Sequence, residues 1–246
     1  MTKEMLLNTY LKQLRLPTIL KNYREAAERD QTFEEFLLCL FEQEVTQREE
    51  NNLKRRLKHA KFPSIKTLES FDFSAIPSLK KKKVLELSRA GFIEKFENII
   101  IVGNHGTGKT HLATSLALAA CRQGYKVRFY NVAGLVNELI MAQSDHNLLK
   151  FEKQWLKFDL VVLDELGYLP FSSIGSQLLF QFCSSRYERG SMILTTNLEF
   201  AEWTQVFGEE KLTAALLDRL THKCHILQMN GDSFRFKQSL QRQQEQ

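Results

Sequence analysis

The sequence predicts an α/β protein: a parallel sheet sandwiched by helices, built around one P-loop and preceded by a small all-helical domain. Three observations carry this. The stretch Gly103-Asn104-His105-Gly106-Thr107-Gly108-Lys109-Thr110 fits G-x-x-x-x-G-K-[ST], with a β-branched run before it and an Ala/Leu-rich run to Cys121 after it. From Phe96 onward, short apolar runs alternate with longer segments at helical spacing. Before residue 70, by contrast, apolar residues recur at helical spacing alone. The alternation implies parallel strands joined by helices, with ligands at the carboxyl ends of the strands.

In chain order, Leu6, Leu7, Tyr10, Leu11 and Leu14 predict a first helix that Pro17 interrupts. Ile19, Tyr23, Ala26 and Ala27 mark a second. Thr32 and Glu35 have the form of a capping box, followed by Phe36, Leu37, Leu40, Phe41 and Val45. That third helix is expected to run through Leu53 and Leu57 to about Lys61, before Pro63. Its end is strongly basic, with no acidic residue between positions 53 and 68. Lys54, Arg55, Lys58 and Lys61 fall on one helical face and are the candidate DNA contacts, since such a stripe can follow a phosphate backbone. A solvated face at a helix carboxyl end explains the same charges, and both readings stand.

A linker with Phe71 and Phe73 leads into Lys80-Lys81-Lys82-Lys83, a second candidate DNA contact, and a short helix expected to close at Gly91. Either phenylalanine could lie against an adenine ring or simply pack in the core. Ile99-Ile100-Ile101-Val102 then predicts a strand buried on both faces. Strands follow at 127–130, 160–163, 192–195 and 226–229, with helical patterns between them, one of them at about 175–188. The expected domains are 1–68, helical, for DNA binding or interaction; 69–238, the nucleotide-binding domain; and 239–246, a disordered glutamine-rich tail.

Composition narrows the class. Of 246 residues, 43% are hydrophobic and 26% charged, as in ordinary soluble globular proteins. No apolar run is long enough to span a membrane, and the amino terminus lacks a signal-peptide core, so no membrane role is expected. Cys39, Cys121, Cys183 and Cys224 form no C-x-x-C and suit reduced thiols in a cytoplasm. A net charge of +5 permits nucleic-acid binding without requiring it.

The chemistry centres on the loop. Its glycines allow successive N–H groups to turn toward phosphates at the positive end of the following helix. Lys109 would reach the terminal phosphates of a bound nucleotide, and the Thr110 hydroxyl would ligate Mg2+. Fifty-five residues beyond Lys109, Asp164 and Glu165 close an apolar strand. The aspartate there can hold the Mg2+ shell and the glutamate can act as general base, which points to hydrolysis beyond binding. Asn197 closes the next strand and can sense the γ-phosphate, or else cap the segment that follows. Arg219 could complete a neighbouring subunit's site or pair with Asp218. Arg235 follows the last strand.

These residues resemble the IstB-type family, ATP-binding helpers of insertion-sequence transposition, which are AAA+ ATPases related to the helicase loader DnaC and the initiator DnaA. The resemblance rests on Gly108-Lys109-Thr110-His111-Leu112-Ala113 and Asp164-Glu165-Leu166-Gly167-Tyr168-Leu169-Pro170. It rests also on Ser185-Arg186-Tyr187-Glu188-Arg189-Gly190-Ser191, Thr195-Thr196-Asn197-Leu198, Asp218-Arg219-Leu220 and Gly231-Asp232-Ser233-Phe234-Arg235. It implies an AAA+ fold with ATP bound by residues 103–110 and an acidic Walker B pair at Asp164 and Glu165. Asn197 then matches the first sensor, Arg219 the intersubunit arginine finger and Arg235 the second sensor. It implies a cytoplasmic bacterial ATPase, nucleoid-associated when on DNA. Its partners would be double-stranded DNA, the transposase of the same element, and copies of itself in ATP-bridged homo-oligomers. Asn104-His105 departs from the Pro-Pro common in relatives, which bears on loop stiffness. Little chain follows Arg235, so no conventional helical lid is expected. A DnaC-like replicative helicase loader is the other function this pattern fits.

Overall fold

The computed structural model describes residues 2–168, 170–231, 233 and 234; Arg235 and the glutamine-rich end lie outside them. Contacts divide the chain into two compact units, Met1–Arg55 and Arg56–Gln246. The expected start of the nucleotide-binding domain at residue 69 falls within the second unit.

The first unit is built from α1 (Lys3–Gln13), α2 (Pro17–Ala27) and most of α3 (Phe33–Ala60). The capping box forms as its sequence requires. The Thr32 amide donates to Glu35 Oε2 at 2.8 Å, and the Glu35 amide to Thr32 Oγ1 at 3.3 Å. Helix α2 begins with Pro17 and has no cap of its own. Glu44 of α3 supplies one, accepting from the Thr18 and Ile19 amides at 2.8 and 3.2 Å. Burial works against the Glu44 charge, but Arg48 at 2.8 Å and the two amides outweigh it and hold the carboxyl below its usual range. The core is Leu11, Ile19, Ala26 and Leu40, flanked by Leu16, Leu20, Tyr23 and Phe36. The apolar stripe of α1 is not the core face its spacing suggests: Leu11 is buried, while Leu7, Tyr10 and Leu14 are exposed. So small a unit has too little chain to cover both sides of a helix.

In the second unit, a 3-10 turn (Phe73–Ala75) precedes α4 (Lys81–Leu87) and α5 (Gly91–Glu94). The turn after α4 differs from expectation. Buried Ala90 takes the left-handed conformation (φ 57°), and Gly91 opens α5 instead of closing α4. Then follow β1 (Asn98–Gly103), α6 (Lys109–Arg122), β2 (Val127–Asn131), α7 (Val132–Ser144) and α8 (Leu148–Trp155). The chain continues through β3 (Leu160–Leu166), α9 (Ser173–Arg186), β4 (Ser191–Thr196) and a 3-10 turn (Phe200–Glu202). It ends in α10 (Thr204–Phe207), α11 (Glu210–Thr221) and β5 (Cys224–Met229).

All five strands are parallel, in the order β2-β3-β4-β1-β5. Ile99, Ile100 and Ile101 of β1 are wholly buried, because β1 is covered by strands at both edges and helices on its faces. The chain leaves β1 for the far edge at β2, returns through β3 and β4, and then crosses β1 to reach β5. That reversal opens a crevice at the carboxyl ends of β1, β4 and β3, where such sheets bind ligands.

The Ser185–Ser191 motif serves this framework. Arg186 is 1% exposed, and its guanidinium donates to the carbonyls of Trp155, Phe158 and Ser191 at 2.8, 3.0 and 3.2 Å. It thereby ties the end of α9 to the approaches of β3 and β4. Burial lowers its pKa to about 10, so it stays charged at neutral pH. Gly190 packs directly against it: a Cβ there would lie 2.4 Å from Arg186 Nη2, so the guanidinium would have to shift. The four cysteines are free, and among the described residues no helix is long and apolar enough to cross a membrane.

Candidate functional site

The phosphate-binding loop joins β1 to α6 as its spacing demands. Gly103 has no room for a side chain, since a Cβ would sit 2.2 Å from the Met229 carbonyl oxygen of β5. Gly108 caps α6 in the left-handed region at φ 90°, which other residues resist. Within the loop, Thr107 Oγ1 donates to the Asn104 carbonyl at 2.9 Å. Lys109 folds back over the loop, its ammonium donating to the carbonyls of Gly103 and Asn104 at 2.7 and 2.8 Å. The amide of Phe234 donates to the Gly106 carbonyl at 3.0 Å, bringing the end of the described chain against the loop.

Asp164 and Glu165 take different environments although they are adjacent. Asp164 is 5% exposed and accepts from Thr110 Oγ1 at 3.0 Å and from Thr195 Oγ1 at 2.6 Å. The β3–β4 register is irregular between Leu163 and Leu166, and Glu165 sits there with φ 63°. Such a bulge re-aims a side chain, and a bulky residue at positive φ persists only where its surroundings hold it. Here the Glu165 amide donates to Thr195 Oγ1 at 2.9 Å, and its carboxylate accepts from Asn131 Nδ2 at 2.8 Å. Thr195 thus links the two acids, bonding the carboxylate of one and the amide of the other. The Asn131 carboxamide is used at both ends, since its oxygen also caps α7 through the Ala133 amide.

Glu165 and Thr195 border a cavity of about 450 Å³, large enough for a nucleotide. Its walls include the loop from His105 to Thr110, together with Glu165 and Asn197. Asn197 is half-buried and does not cap the following 3-10 turn; Glu199 does, with Glu202. Phe71 is buried in the core, and its edge also lines the cavity. His111, beside the loop, contacts the Thr67 carbonyl at 2.9 Å through Nε2 and meets the Phe71 ring edge-on at 5.2 Å. His105 faces Tyr168 edge-on at 6.3 Å across the cavity mouth.

Arg219 is not among the cavity-lining residues. It lies on α11 with its guanidinium over the Phe180 ring at 4.9 Å and Nη1 donating to the Ala215 carbonyl at 3.2 Å. Among the described residues it makes no ion pair with Asp218. Lys54, Arg55 and Lys58 are exposed near the end of α3; Lys61, also exposed, lies just past it at φ 55°. Arg235 falls outside the described residues. Asn131 and Thr195 are the site residues that sequence reasoning missed. Each is a polar side chain at the carboxyl end of an apolar strand, the same signal that marked Asp164.

A family model described as IstB-like ATP binding protein matches residues 9–242. The chain belongs to that family. A protein of insertion sequence IS21 from Pseudomonas aeruginosa is 38% identical over 214 residues, covering 87% of this IstB-like chain and 81% of its own. One of insertion sequence IS5376 from Geobacillus stearothermophilus is 34% identical over 244 residues, covering 98% and 97%. Both are named for ATP binding. The fold is similar to AMPPCP-bound DnaA from Aquifex aeolicus, with a TM-score of 0.58 at 21% identity over 75% of this chain and 56% of that one. It is also similar to the DnaC helicase loader, with a TM-score of 0.51 at 24% identity over 61% and 89%. The architecture is therefore that of a P-loop AAA+ protein, and this IstB-like chain is an ATP-binding member of that class.

The donors fit Mg2+. One carboxylate and one hydroxyl, Asp164 and Thr110, meet at 3.0 Å, and such an ion takes its remaining ligands from phosphate and water. Burial raises the Asp164 pKa, against the Thr195 and Thr110 hydroxyls that favour its charge. The folded chain thus holds the Asp164 proton more tightly than the unfolded chain does. Stability from this group is present at low pH and lost as pH rises through the raised pKa, so at neutral pH the bare charge is a cost. Asp164→Asn, which removes this buried charge, is expected to raise the nucleotide-free melting temperature. The same change should remove Mg2+-dependent ATP affinity. A thermal melt without nucleotide checks the first part, and an unchanged or lower midpoint would contradict it.

Proposed function

We propose that this chain hydrolyses ATP with Mg2+ and uses it to form ATP-bridged homo-oligomers on double-stranded DNA, where it recruits or stimulates the transposase of the same insertion sequence. The observation that carries the hydrolytic part is the split between the two acids. Asp164 is buried against Thr110, where a metal shell belongs, and Glu165 is exposed at the cavity with its carboxylate oriented by Asn131. When bound, Mg2+ neutralises charge on the β- and γ-phosphates. Residues 103–110 cradle the phosphates, Lys109 leaves the loop carbonyls for the γ-phosphate, and Asn197 orients water or the γ-phosphate from the end of β4. Glu165 accepts the proton of the attacking water.

The DNA and transposase parts are supported by the relatives' origin in insertion sequences and by the exposed Lys54, Arg55, Lys58 and Lys61. A replicative-helicase loader has less support, because the similarity to DnaC is one of fold. The test is phosphate release and sedimentation of the purified chain with Mg-ATP, with and without duplex DNA. Turnover and oligomer size should both rise with DNA, and Lys109→Ala should abolish ATP binding and both responses. DNA affinity should fall by orders of magnitude between roughly 50 and 200 mM salt if several phosphates are contacted. ATP turnover indifferent to DNA, with no oligomer in any nucleotide state, would overturn the proposal.

A further inference from the structure

The first unit carries an open groove of about 750 Å³ between the α1–α2 turn and the second half of α3. Its α3 wall presents Gln47, Arg48, Asn51, Asn52 and Arg55 at i, i+1, i+4, i+5 and i+8, a single helical face. Lys21 of α2 and Arg15 of the turn supply the opposite wall. Arg15, Lys21 and Arg55 are all exposed.

One carboxylate, Glu44, lines this groove, and it is already consumed. It is 2% exposed, caps α2 through two amides and is paired with Arg48 at 2.8 Å. Arg48 also donates to the Arg15 carbonyl, so it holds the wall in shape. The cations of Arg15, Lys21 and Arg55 are left without a carboxylate on the groove wall. The neighbouring groove of the same unit has the opposite character, with Glu25, Glu42 and Glu50 set against Arg29. The unit is therefore sided: one groove attracts anions and the adjacent one repels them.

We infer that the Arg15–Lys21–Arg55 groove is a nucleic-acid-binding groove, in which the three cations take backbone phosphates and the carboxamides of Asn51 and Asn52 take phosphate oxygens or base edges. An acidic peptide fits less well. Peptide recognition draws its energy from apolar anchors in desolvated pockets, whereas this lining is mostly guanidinium, ammonium and carboxamide. The inference rests on the proposed DNA binding and adds to it a specific surface, which shares Arg55 with the stripe of Lys54, Arg55, Lys58 and Lys61 and extends it to Arg15 and Lys21.

The test uses the full chain with Mg-ATP, a fluorescein-labelled mixed-sequence duplex and a salt titration. Arg15→Ala/Lys21→Ala/Arg55→Ala should lower affinity about tenfold or more and reduce the salt slope by roughly 2 to 3, while ATP affinity is unchanged. Lys21→Gln and Arg15→Gln, single exposed substitutions of the two groove cations outside the stripe, should each reduce the slope by about 1. These single variants keep the test decisive even if the triple variant is unstable. Unchanged slopes in the groove variants, with a loss in Lys54→Ala/Lys58→Ala/Lys61→Ala, would overturn the groove and leave DNA binding standing. A wild-type chain that binds no duplex in any nucleotide state would instead fail the DNA reading itself. Polyglutamate competing as well as duplex at equal charge would reassign the groove to acidic peptides.

Discussion

Glu165→Gln is expected to lower ATP turnover by about 10²-fold or more while changing ATP affinity by no more than about twofold. The substitution preserves volume, and its amide oxygen can still accept from Asn131 Nδ2, as the carboxylate does at 2.8 Å. The bulge geometry is held by the Glu165 amide on Thr195, which the substitution does not touch. What disappears is a group able to accept a proton. Phosphate release measured beside a fluorescent-nucleotide titration separates the two effects. Because the ATP-bound form would then persist, sedimentation should show a long-lived oligomer on addition of ATP. Turnover within about threefold of wild type would remove Glu165 from the general-base role, since base catalysis typically contributes far more.

The parts of this site that could be read from sequence are those whose chemistry fixes a local spacing. The phosphate-binding loop must connect a buried strand to a helix, and every residue from Gly103 to Thr110 lies within one short segment. The Thr32–Glu35 capping box was legible for the same reason. Asn131 and Thr195 were not, because their roles are set by strand order. Asn131 reaches Glu165 across 34 residues, and Thr195 reaches Asp164 across 31. Both contacts exist because β3 lies between β2 and β4. The bulge that turns Glu165 toward the cavity is likewise a property of pairing with β4, and an Asp-Glu pair in isolation does not announce it. The left-handed turn after α4 fell on Ala90 although Gly91 is the residue with the greater freedom. The stripe of α1 misled in another way, since periodicity reports that a helix is amphipathic but not how much of its apolar face finds a partner.

Arg219 poses the question of where one active site ends, and a mixing experiment answers it. The side chain lies over Phe180 and outside the walls of its own nucleotide cavity. A contribution to hydrolysis is therefore most directly made in a neighbouring copy's site. Arg219→Ala should then reduce turnover by roughly 10³-fold or more, the scale of a missing arginine finger, with ATP still bound. Lys109→Ala should fail for the opposite reason, having its arginine but no ATP. When the two inactive proteins are mixed in equal amounts, an interface is active only if the ATP-binding subunit is the Arg219→Ala copy and its neighbour is the Lys109→Ala copy. Random assembly gives about one interface in four of that kind, so turnover should recover to about a quarter of wild type. A mixture no better than the sum of its parts would exclude action between subunits. Arg219 would then be left with the local role its geometry already supports, holding α11 against the Phe180 face of α9. Recovery near one quarter has no such alternative, because neither parent protein contains a complete site and mixing changes nothing within either chain.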